Sequence, residues 1–383
     1  MSASPTAKRL LDATSGQHPV VSVVFDLNPA EFATAPARAT QANSLLDAAH
    51  NLEEADETLS HDARQAVRSD LERLRTYLSS DDLPVSGAAA LAIYASELAG
   101  LFETVALSKP SGPQVVIGRE PDLEPIVTEP AAGRWCAVLV SSRDVTIDIG
   151  SGGAVTARST GSDYVRGHSQ SDGNDERSRE QDIDGHLIAV ARRLAEDHRA
   201  GRFDVLALAG PVEALTGLES RLTDDLRTAL AGSHLELDPS AATEADVAMA
   251  VGALLAEERE REREQRLAEF GDQLAAARGG AEGARALAGV DQVLQALTEQ
   301  RVATLLFAGD FHAAGARCPQ CGLLLSAETS ECPIDGTATS PVEDLRGPMI
   351  VAAVRQDATV LVFEEPGEPL GGPGRQVGAL LRY

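Results

Sequence analysis

A short tetrapeptide that begins with glycine is the first feature that could do chemistry. Gly167-His168-Ser169-Gln170 lies in residues 160–184, which are rich in Ser, Asp, Gly and Arg and show no hydrophobic periodicity. This composition predicts an exposed loop. A glycine lets the backbone approach a ligand closely. A glutamine offers an amide and a backbone N–H that can orient a water molecule or stabilise a developing oxyanion. The pattern therefore predicts a loop that positions water for attack on an ester.

The tetrapeptide itself allows more than one interpretation. His168 is either a general base or, as is more common for a loop histidine with no fixed carboxylate beside it, a solvated side chain. Taken alone, four residues of this kind also arise by chance in a Ser/Gly/Asp-rich linker. The candidate catalytic residues are the four members of the tetrapeptide, and Arg166, Arg177 and Arg179 are the candidate phosphate contacts.

Three of the four cysteines fall close together and predict a metal site. The segment reads Cys318-Pro-Gln-Cys321-Gly, then Cys332-Pro-Ile-Asp335-Gly. Cys-Pro-x-x-Gly turns aim backbone N–H groups at thiolate sulfurs, and two such turns close a tetrahedral site. Asp335 stands where a fourth cysteine would be expected. The sequence therefore predicts structural zinc on Cys318, Cys321, Cys332 and Asp335.

Alternatives to this ligand set follow from the same residues. His312 is the other candidate for the fourth ligand, and a degenerate site that has lost its metal is the competing interpretation of the whole cluster. Cys136 lies in an apolar segment, RWCAVLVS, of a different predicted domain, so we expect it to be a core residue.

Apolar runs and turn signals divide the chain into three α/β domains. Residues 1–130 begin with a buried strand at 19–27, followed by a helix-prone stretch from about 36 to 79 and strands at 87–96, 101–108 and 114–118. Helices mixed with strands in this way are typical of an α/β layered domain.

The middle domain is predicted at 131–258. Strand patterns at 134–141, 144–149 and 154–159 lead into the exposed loop at 160–182, then a helix, a strand at 203–210, a helix at 215–230 and a short strand at 234–238. The order of strands, loop, helix, strand, helix and strand indicates a mixed sheet.

A helical linker and a last domain complete the predicted organisation. A helix is predicted from about 243 to 278. Its Glu257–Arg261 and Glu262–Arg266 pairs at i,i+4 favour a solvated helix face, and a partner-binding helix is the alternative. Residues 259–282 are the predicted helical linker. The domain at 283–383 has a predicted helix at 284–300, a strand at 302–309, the cysteine insertion at 312–339 and two strands within 349–364.

Composition limits the function classes. The 383 residues carry a formal net charge of −26, with lysine only at positions 8 and 109. An acidic surface disfavours loose binding to nucleic acid, because phosphate contacts need local Lys or Arg. We expect no DNA partner. No apolar run is long enough for a transmembrane helix and the N-terminus lacks a signal-peptide core, so a cytoplasmic protein without a membrane partner is expected.

Taken with the loop and its place in the domain order, the tail GGPGRQVGALLRY (371–383) resembles bacterial members of the archaeo-eukaryotic class-one peptide release factor family. The resemblance spans most of the chain. It implies an RNase-H-like middle domain with an exposed Gly-x-x-Gln loop, and a C-terminal α/β domain with the fold of kink-turn-binding ribosomal proteins, carrying a small zinc-type insertion. It also implies the ribosome as partner, with the loop at the peptidyl-transferase centre of the large subunit acting on peptidyl-tRNA.

Two departures from the family pattern narrow the expected function. The loop is Gly-His-Ser-Gln where release factors have Gly-Gly-Gln, and no Asn-Ile-Lys-Ser-like motif occurs in the first domain. Stop-codon reading is therefore not expected. The resemblance implies either hydrolysis of peptidyl-tRNA in ribosome rescue, at the ester or near the tRNA 3′ end, or a non-catalytic hibernation or protection factor that occupies the A site.

Overall fold

The chain folds into two compact units. A computed structural model describes the backbone of residues 5–14, 16–28, 32, 34–56, 59–80, 83, 88–107, 112–128, 134–140, 144–151, 153–161, 175–281, 283–326, 329–363, 370 and 376–383. The first unit combines Met1–Ala131 with Glu262–Tyr383, and the middle unit is Ala132–Arg261. The architecture is mixed α/β with several sheets, as the sequence predicts. The three-domain division at 130, 258 and 282 stays a prediction.

The N-terminal part of the first unit is an antiparallel four-stranded sheet with the order β3-β2-β1-β4. Helices α2 and α3 pack on one face through an apolar cluster that includes Phe25, Leu46 and Leu71. The elements are α1 (Pro5–Thr14), β1 (Val20–Asp26), α2 (Ala35–Ala55), α3 (His61–Leu78), β2 (Ala90–Ser96), β3 (Leu101–Leu107), β4 (Gln114–Gly118) and α4 (Glu124–Thr128).

The helix-prone stretch from 36 to 79 is two helices, and the reason is local capping. The Ser60 hydroxyl accepts a hydrogen bond from the Ala63 N–H and so starts α3. Arg64 donates to the carbonyl oxygens of Glu53 and Asp56, each at 2.9 Å, which satisfies the end of α2.

The middle unit has a sheet with the order β7-β6-β5-β8. Strands β5, β6 and β7 form an antiparallel meander, and β8 pairs with β5 in parallel after a helical crossover. This arrangement agrees with the predicted RNase-H-like topology. The elements are β5 (Arg134–Val140), β6 (Val145–Ser151), β7 (Ala154–Gly161), α5 (Asp175–Arg199), β8 (Val205–Ala209), α6 (Val212–Glu219) and α7 (Asp224–Ala229).

Two local predictions for the middle unit are wrong. The predicted helix at 215–230 is broken into α6 and α7, because the Thr223 side chain caps a new helix start. The predicted strand at 234–238 is not a strand, although the Leu235 N–H donates to the Leu208 carbonyl at 2.8 Å. The Ala231 N–H also donates to the Leu206 carbonyl at 2.8 Å, but these isolated contacts with β8 do not form a continuous ladder.

The C-terminal part of the first unit has a second four-stranded sheet, with the order β14-β10-β15-β9, and a small antiparallel sheet, β12-β11-β13. Helix α8 (Glu244–Arg278) has residues in both units. The other elements are β9 (Ala286–Ala288), α9 (Val290–Thr298), β10 (Val302–Ala308), β11 (Gly315–Arg317), β12 (Leu324–Leu325), β13 (Ser340–Val342), α10 (Arg346–Arg355), β14 (Thr359–Phe363) and β15 (Val377–Leu381).

Two predictions for the C-terminal part are also wrong. The first of the two strands predicted within 349–364 is helix α10, which connects the small sheet to β14. The helix predicted at 284–300 begins only at Val290, after the edge strand β9. A short apolar run such as MIVAAV fits a buried helix as well as a buried strand, so periodicity alone does not separate them.

One hydrophobic core joins the N-terminal and C-terminal parts of the first unit. It contains Leu10 of α1, Tyr94 of β2 and Ile126 of α4 together with Phe307 of β10 and Ile350 of α10, all at most 1% exposed. The face of the N-terminal sheet opposite α2 and α3 is therefore covered by the C-terminal part. Each part buries apolar surface of the other.

Candidate functional site

The predicted catalytic loop lies outside the described residues. Gly167, His168, Ser169, Gln170 and Arg166 fall in the interval between β7 and α5, so their geometry remains a prediction. Arg177 and Arg179 lie in the first turns of α5, where the backbone alone is described.

The frame that carries this interval is an edge strand held by a buried ion pair. Asp148 on β6 is 0% exposed, and the Arg158 guanidinium on the neighbouring strand β7 donates to both of its oxygens at 2.7 Å. Glu244 lies 3.8 Å from the same guanidinium. Among the described strands β7 pairs with β6 at the edge of the sheet, so this ion pair fixes the strand that precedes residues 162–174. This pair was not among the residues predicted from the sequence, although an aspartate inside an apolar strand is its signal.

The first cysteine turn closes around Cys318. The Cys321 N–H points at the Cys318 sulfur at 3.4 Å, and the Gly322 N–H donates to the Cys318 carbonyl at 2.9 Å. The Cys318 N–H donates to the carbonyl of Leu323 at 2.9 Å. Gly322 has φ +76°, a left-handed conformation that favours glycine and explains the residue at this place.

The second turn repeats this pattern around Cys332. The Ile334 N–H points at the Cys332 sulfur at 3.4 Å, and the Gly336 N–H donates to the Cys332 carbonyl at 2.9 Å. The Cys332 N–H donates to the Thr337 carbonyl at 2.8 Å. Gly336 has φ +71°. The two turns therefore share a left-handed glycine and its hydrogen bond to the cysteine carbonyl, whereas the N–H directed at sulfur comes from the third residue after Cys318 and from the second after Cys332.

Together the turns gather four ligand atoms. One atom each from Cys318, Cys321, Cys332 and Asp335 lies within 4.8 Å of every other. The Cys321 and Cys332 sulfurs are 3.6 Å apart, and the nearer Asp335 oxygen is 3.4 Å from the Cys318 sulfur. The Thr337 N–H donates to Asp335 and helps to hold the pKa of this carboxyl below its usual range, so it is a carboxylate ready to bind a cation.

This donor set fits zinc. Sulfurs about 2.3 Å from a tetrahedral ion stand about 3.8 Å apart, close to the separations found here. Cys318 and Cys332 are buried, whereas Cys321 and Asp335 are exposed. His312 is not part of the cluster, so Asp335 is the fourth candidate ligand. Cys136 is 0% exposed in β5, as expected of a core residue, and burial raises the pKa of its thiol.

Residues 376–383 of the C-terminal tail are a structural element, and residues 371–375 lie outside the described part of the chain. Strand β15 lies between β10 and β9 and is buried along its whole length. A Cβ atom added at Gly378 would come within 2.5 Å of the Phe270 ring, which explains a glycine in this strand. The Arg382 side chain donates to the Val302 carbonyl at 3.0 Å and closes the end of the sheet.

Among the helices of the described residues, none is both long and apolar enough to cross a membrane.

Comparisons with known proteins give distant structural neighbours. No protein-family model matches the chain. No curated protein matches its sequence. Among solved structures, the chain is similar to the archaeal translation termination factor aRF1, with 16% identity over 100% of this chain and 98% of that one, at a TM-score of 0.24. It is also similar to Archaeoglobus fulgidus Pelota (15% identity, 77% and 79% of the two chains, TM-score 0.32) and to S. cerevisiae Dom34 (8% identity, 77% and 86%, TM-score 0.37). At these scores the similarity assigns neither site residues nor an activity to this chain.

Proposed function

We propose that this chain is a release-factor-like protein that binds the ribosome and promotes cleavage of peptidyl-tRNA in ribosome rescue, without reading a stop codon. The observation that carries the proposal is the place of the Gly167–Gln170 tetrapeptide. It lies in the connection between the edge strand β7 and helix α5 of an α/β unit whose meander continues into a parallel strand. A connection between two elements can enter an RNA cavity that a folded domain cannot.

In this proposal the loop acts by positioning. The Gln170 amide or its backbone N–H orients the attacking water and stabilises the developing oxyanion, and Gly167 leaves room for the substrate backbone. His168 and Ser169 lie between these two residues in the sequence. The bond cleaved is either the peptidyl ester or a bond of the tRNA near its 3′ end. Both reactions need a positioned nucleophile and few preorganised donors.

Binding must overcome the acidic character of the chain. With a net charge of −26, contact with ribosomal RNA depends on local arginines, for which Arg166, Arg177 and Arg179 beside the loop are the candidates. We therefore expect association with the large subunit at the peptidyl-transferase centre to weaken as salt concentration rises.

A second candidate function is a non-catalytic hibernation or protection factor that occupies the A site. The specific observation in its favour is the pair His168-Ser169, which replaces the small glycine of the Gly-Gly-Gln loop and introduces two polar side chains between Gly167 and Gln170. In that case the loop fits the cavity and no bond is cut.

We also propose that Cys318, Cys321, Cys332 and Asp335 hold a structural zinc ion. Four protein ligands complete a tetrahedral shell, so the ion would have no open position for catalysis. Its contribution would be to the folding of the insertion.

Substitution of Gln170 by Ala separates the two functions. Purified ribosomes carrying a labelled peptidyl-tRNA are mixed with the wild-type chain, with Gln170→Ala, and with Ser171→Ala as a control in the same loop. Release that is lost in Gln170→Ala and kept in Ser171→Ala supports the enzyme. The size of the tRNA on an acid gel then shows which bond is cut.

Co-sedimentation with ribosomes at low salt gives the second readout. Binding by all three proteins without release would support the protection factor. Failure of the wild-type chain to co-sediment would exclude both functions.

A further inference from the structure

A single carboxylate connects the N-terminal part of the first unit to the cysteine insertion. Glu120 follows strand β4 and has a side chain that is 10% exposed. The Arg317 guanidinium donates to both of its oxygens, at 2.8 and 2.9 Å, and Arg355 of α10 donates at 2.6 Å. Charge-assisted, bidentate pairs of this kind fix geometry as well as contributing energy.

Glu120 is the sole acidic partner of both arginines in the described part of the chain. Their side chains are 31% and 49% exposed. Because the Glu120 carboxylate is largely buried, displacement of the Arg317 guanidinium would leave Arg355 as its one remaining cationic partner among the described residues.

Arg317 is the last residue of β11 and directly precedes Cys318. Strand β11 pairs with β12, which follows the first cysteine turn, and with β13, which follows the second. The position of the Arg317 side chain thus depends on how both turns are closed.

Backbone hydrogen bonds close each turn, and a cation on the four ligands would tie the two turns to each other. Three sulfurs and a carboxylate converge within 4.8 Å, and this much donor density without a central charge is unfavourable unless the thiols keep their protons. Metal binding would therefore fix the strand that presents Arg317 to Glu120.

We propose that Glu120 is a positioning residue that transmits the state of the cysteine insertion to the N-terminal part of the first unit. Metal in the insertion holds Arg317 on Glu120, and Glu120 in turn holds the segment from β4 to α4 (residues 114–128) against β11 and α10. The insertion then helps to hold the N-terminal and C-terminal parts of the first unit together. This inference rests on the proposed zinc site.

The test measures hydrogen exchange in residues 114–128 of the full chain, with zinc bound and after chelation, while zinc content is determined by mass spectrometry. In the wild-type chain we expect chelation to speed exchange there by about fivefold. Exchange in β10 should not change, since that strand lies in the centre of the C-terminal sheet.

Two variants make the result specific. Glu120→Gln should retain zinc, exchange fast in residues 114–128 from the start, and show no further response to chelation. Glu124→Gln is the matched control, because it breaks the 2.6 Å pair of Glu124 with Arg346 of α10 and leaves the contact to the insertion intact. It should keep the response to chelation.

The possible failures are distinguishable. A chain that binds zinc but shows no change in residues 114–128 on chelation would overturn the coupling and leave the metal site standing. Equal acceleration in β10 would indicate general unfolding and would also overturn it. A wild-type chain that takes up no zinc would remove the metal site, and the coupling with it.

Discussion

The carboxylate of Asp70 in α3 accepts a 2.9 Å hydrogen bond from the backbone N–H of Glu97, at the turn between β2 and β3. Asp70 is 2% exposed. Burial raises the pKa of this carboxyl to about 6, the charge of Glu97 acts in the same direction, and the hydrogen bond and Arg73 oppose it. A helix is thus fixed to a hairpin through a carboxyl that resists ionisation.

This relationship predicts that Asp70→Asn raises the free energy of unfolding by an amount that depends on pH. The folded state keeps the proton up to about pH 6 whereas the unfolded carboxyl loses it near pH 4, so stability falls as pH rises through this window. The amide still accepts from Glu97 and carries no charge. We expect the variant to be more stable than wild type by about 1 to 3 kcal/mol near pH 7.5, with the difference shrinking towards pH 4.

Urea unfolding at both pH values measures the effect. Asp62→Asn, an exposed aspartate at the start of the same helix, is the control for removing one negative charge. A gain for Asp70→Asn that is the same at both pH values would contradict the assignment.

The close contact of Phe270 with Gly378 gives the second prediction. Both are buried, and a Cβ at Gly378 would meet the ring at 2.5 Å and the Leu287 carbonyl at 3.2 Å. Gly378→Ala should lower the free energy of unfolding by about 1 to 3 kcal/mol, because the packed ring must move. Gly252→Ala, a helical glycine with no atom within 4 Å of the added carbon, should instead stabilise the chain by about 0.5 to 1 kcal/mol. Denaturant midpoints measure both changes. If the two midpoints shift in the same direction, the Phe270 contact does not explain the glycine at position 378.

The extent to which sequence predicts this molecule depends on the range of the contact. Strands such as β1, β4 and β8 are predictable because each is an apolar run between turn signals. The cysteine turns are predictable because Cys-Pro-x-x-Gly fixes its geometry within a few residues. The contact of Glu120 with Arg317 joins residues 197 positions apart and leaves no local pattern. The core shared by Leu10 and Ile350 is hidden from sequence for the same reason.

The pair of Asp148 with Arg158 gives the third prediction. Arg158→Gln leaves a fully buried carboxylate with no cationic partner on β7, and we expect it to lower the free energy of unfolding by about 2 to 4 kcal/mol. Adding Asp148→Asn removes the uncompensated charge. The double variant should therefore be more stable than Arg158→Gln alone.

A double-mutant cycle measured by urea unfolding checks this coupling. Arg192→Gln, which breaks an exposed i,i+4 pair with Glu196, is the control and should change stability by no more than about 0.5 kcal/mol. Additive effects of the Asp148 and Arg158 changes would show that the two side chains do not act as a pair.

The fourth prediction concerns the carboxylate in the metal cluster. If zinc is bound as proposed, Asp335→Cys completes a four-sulfur set in the second of two equivalent turns, and it should bind zinc more tightly than the wild-type chain. Asp335→Ala should bind it more weakly, since three protein ligands remain. Competition with a chromophoric chelator measures the order of the affinities at fixed pH. His312→Ala is the matched control and should leave the affinity unchanged, because this histidine lies outside the cluster. Loss of affinity in His312→Ala together with unchanged affinity in Asp335→Ala would identify the histidine as the fourth ligand and reject the carboxylate.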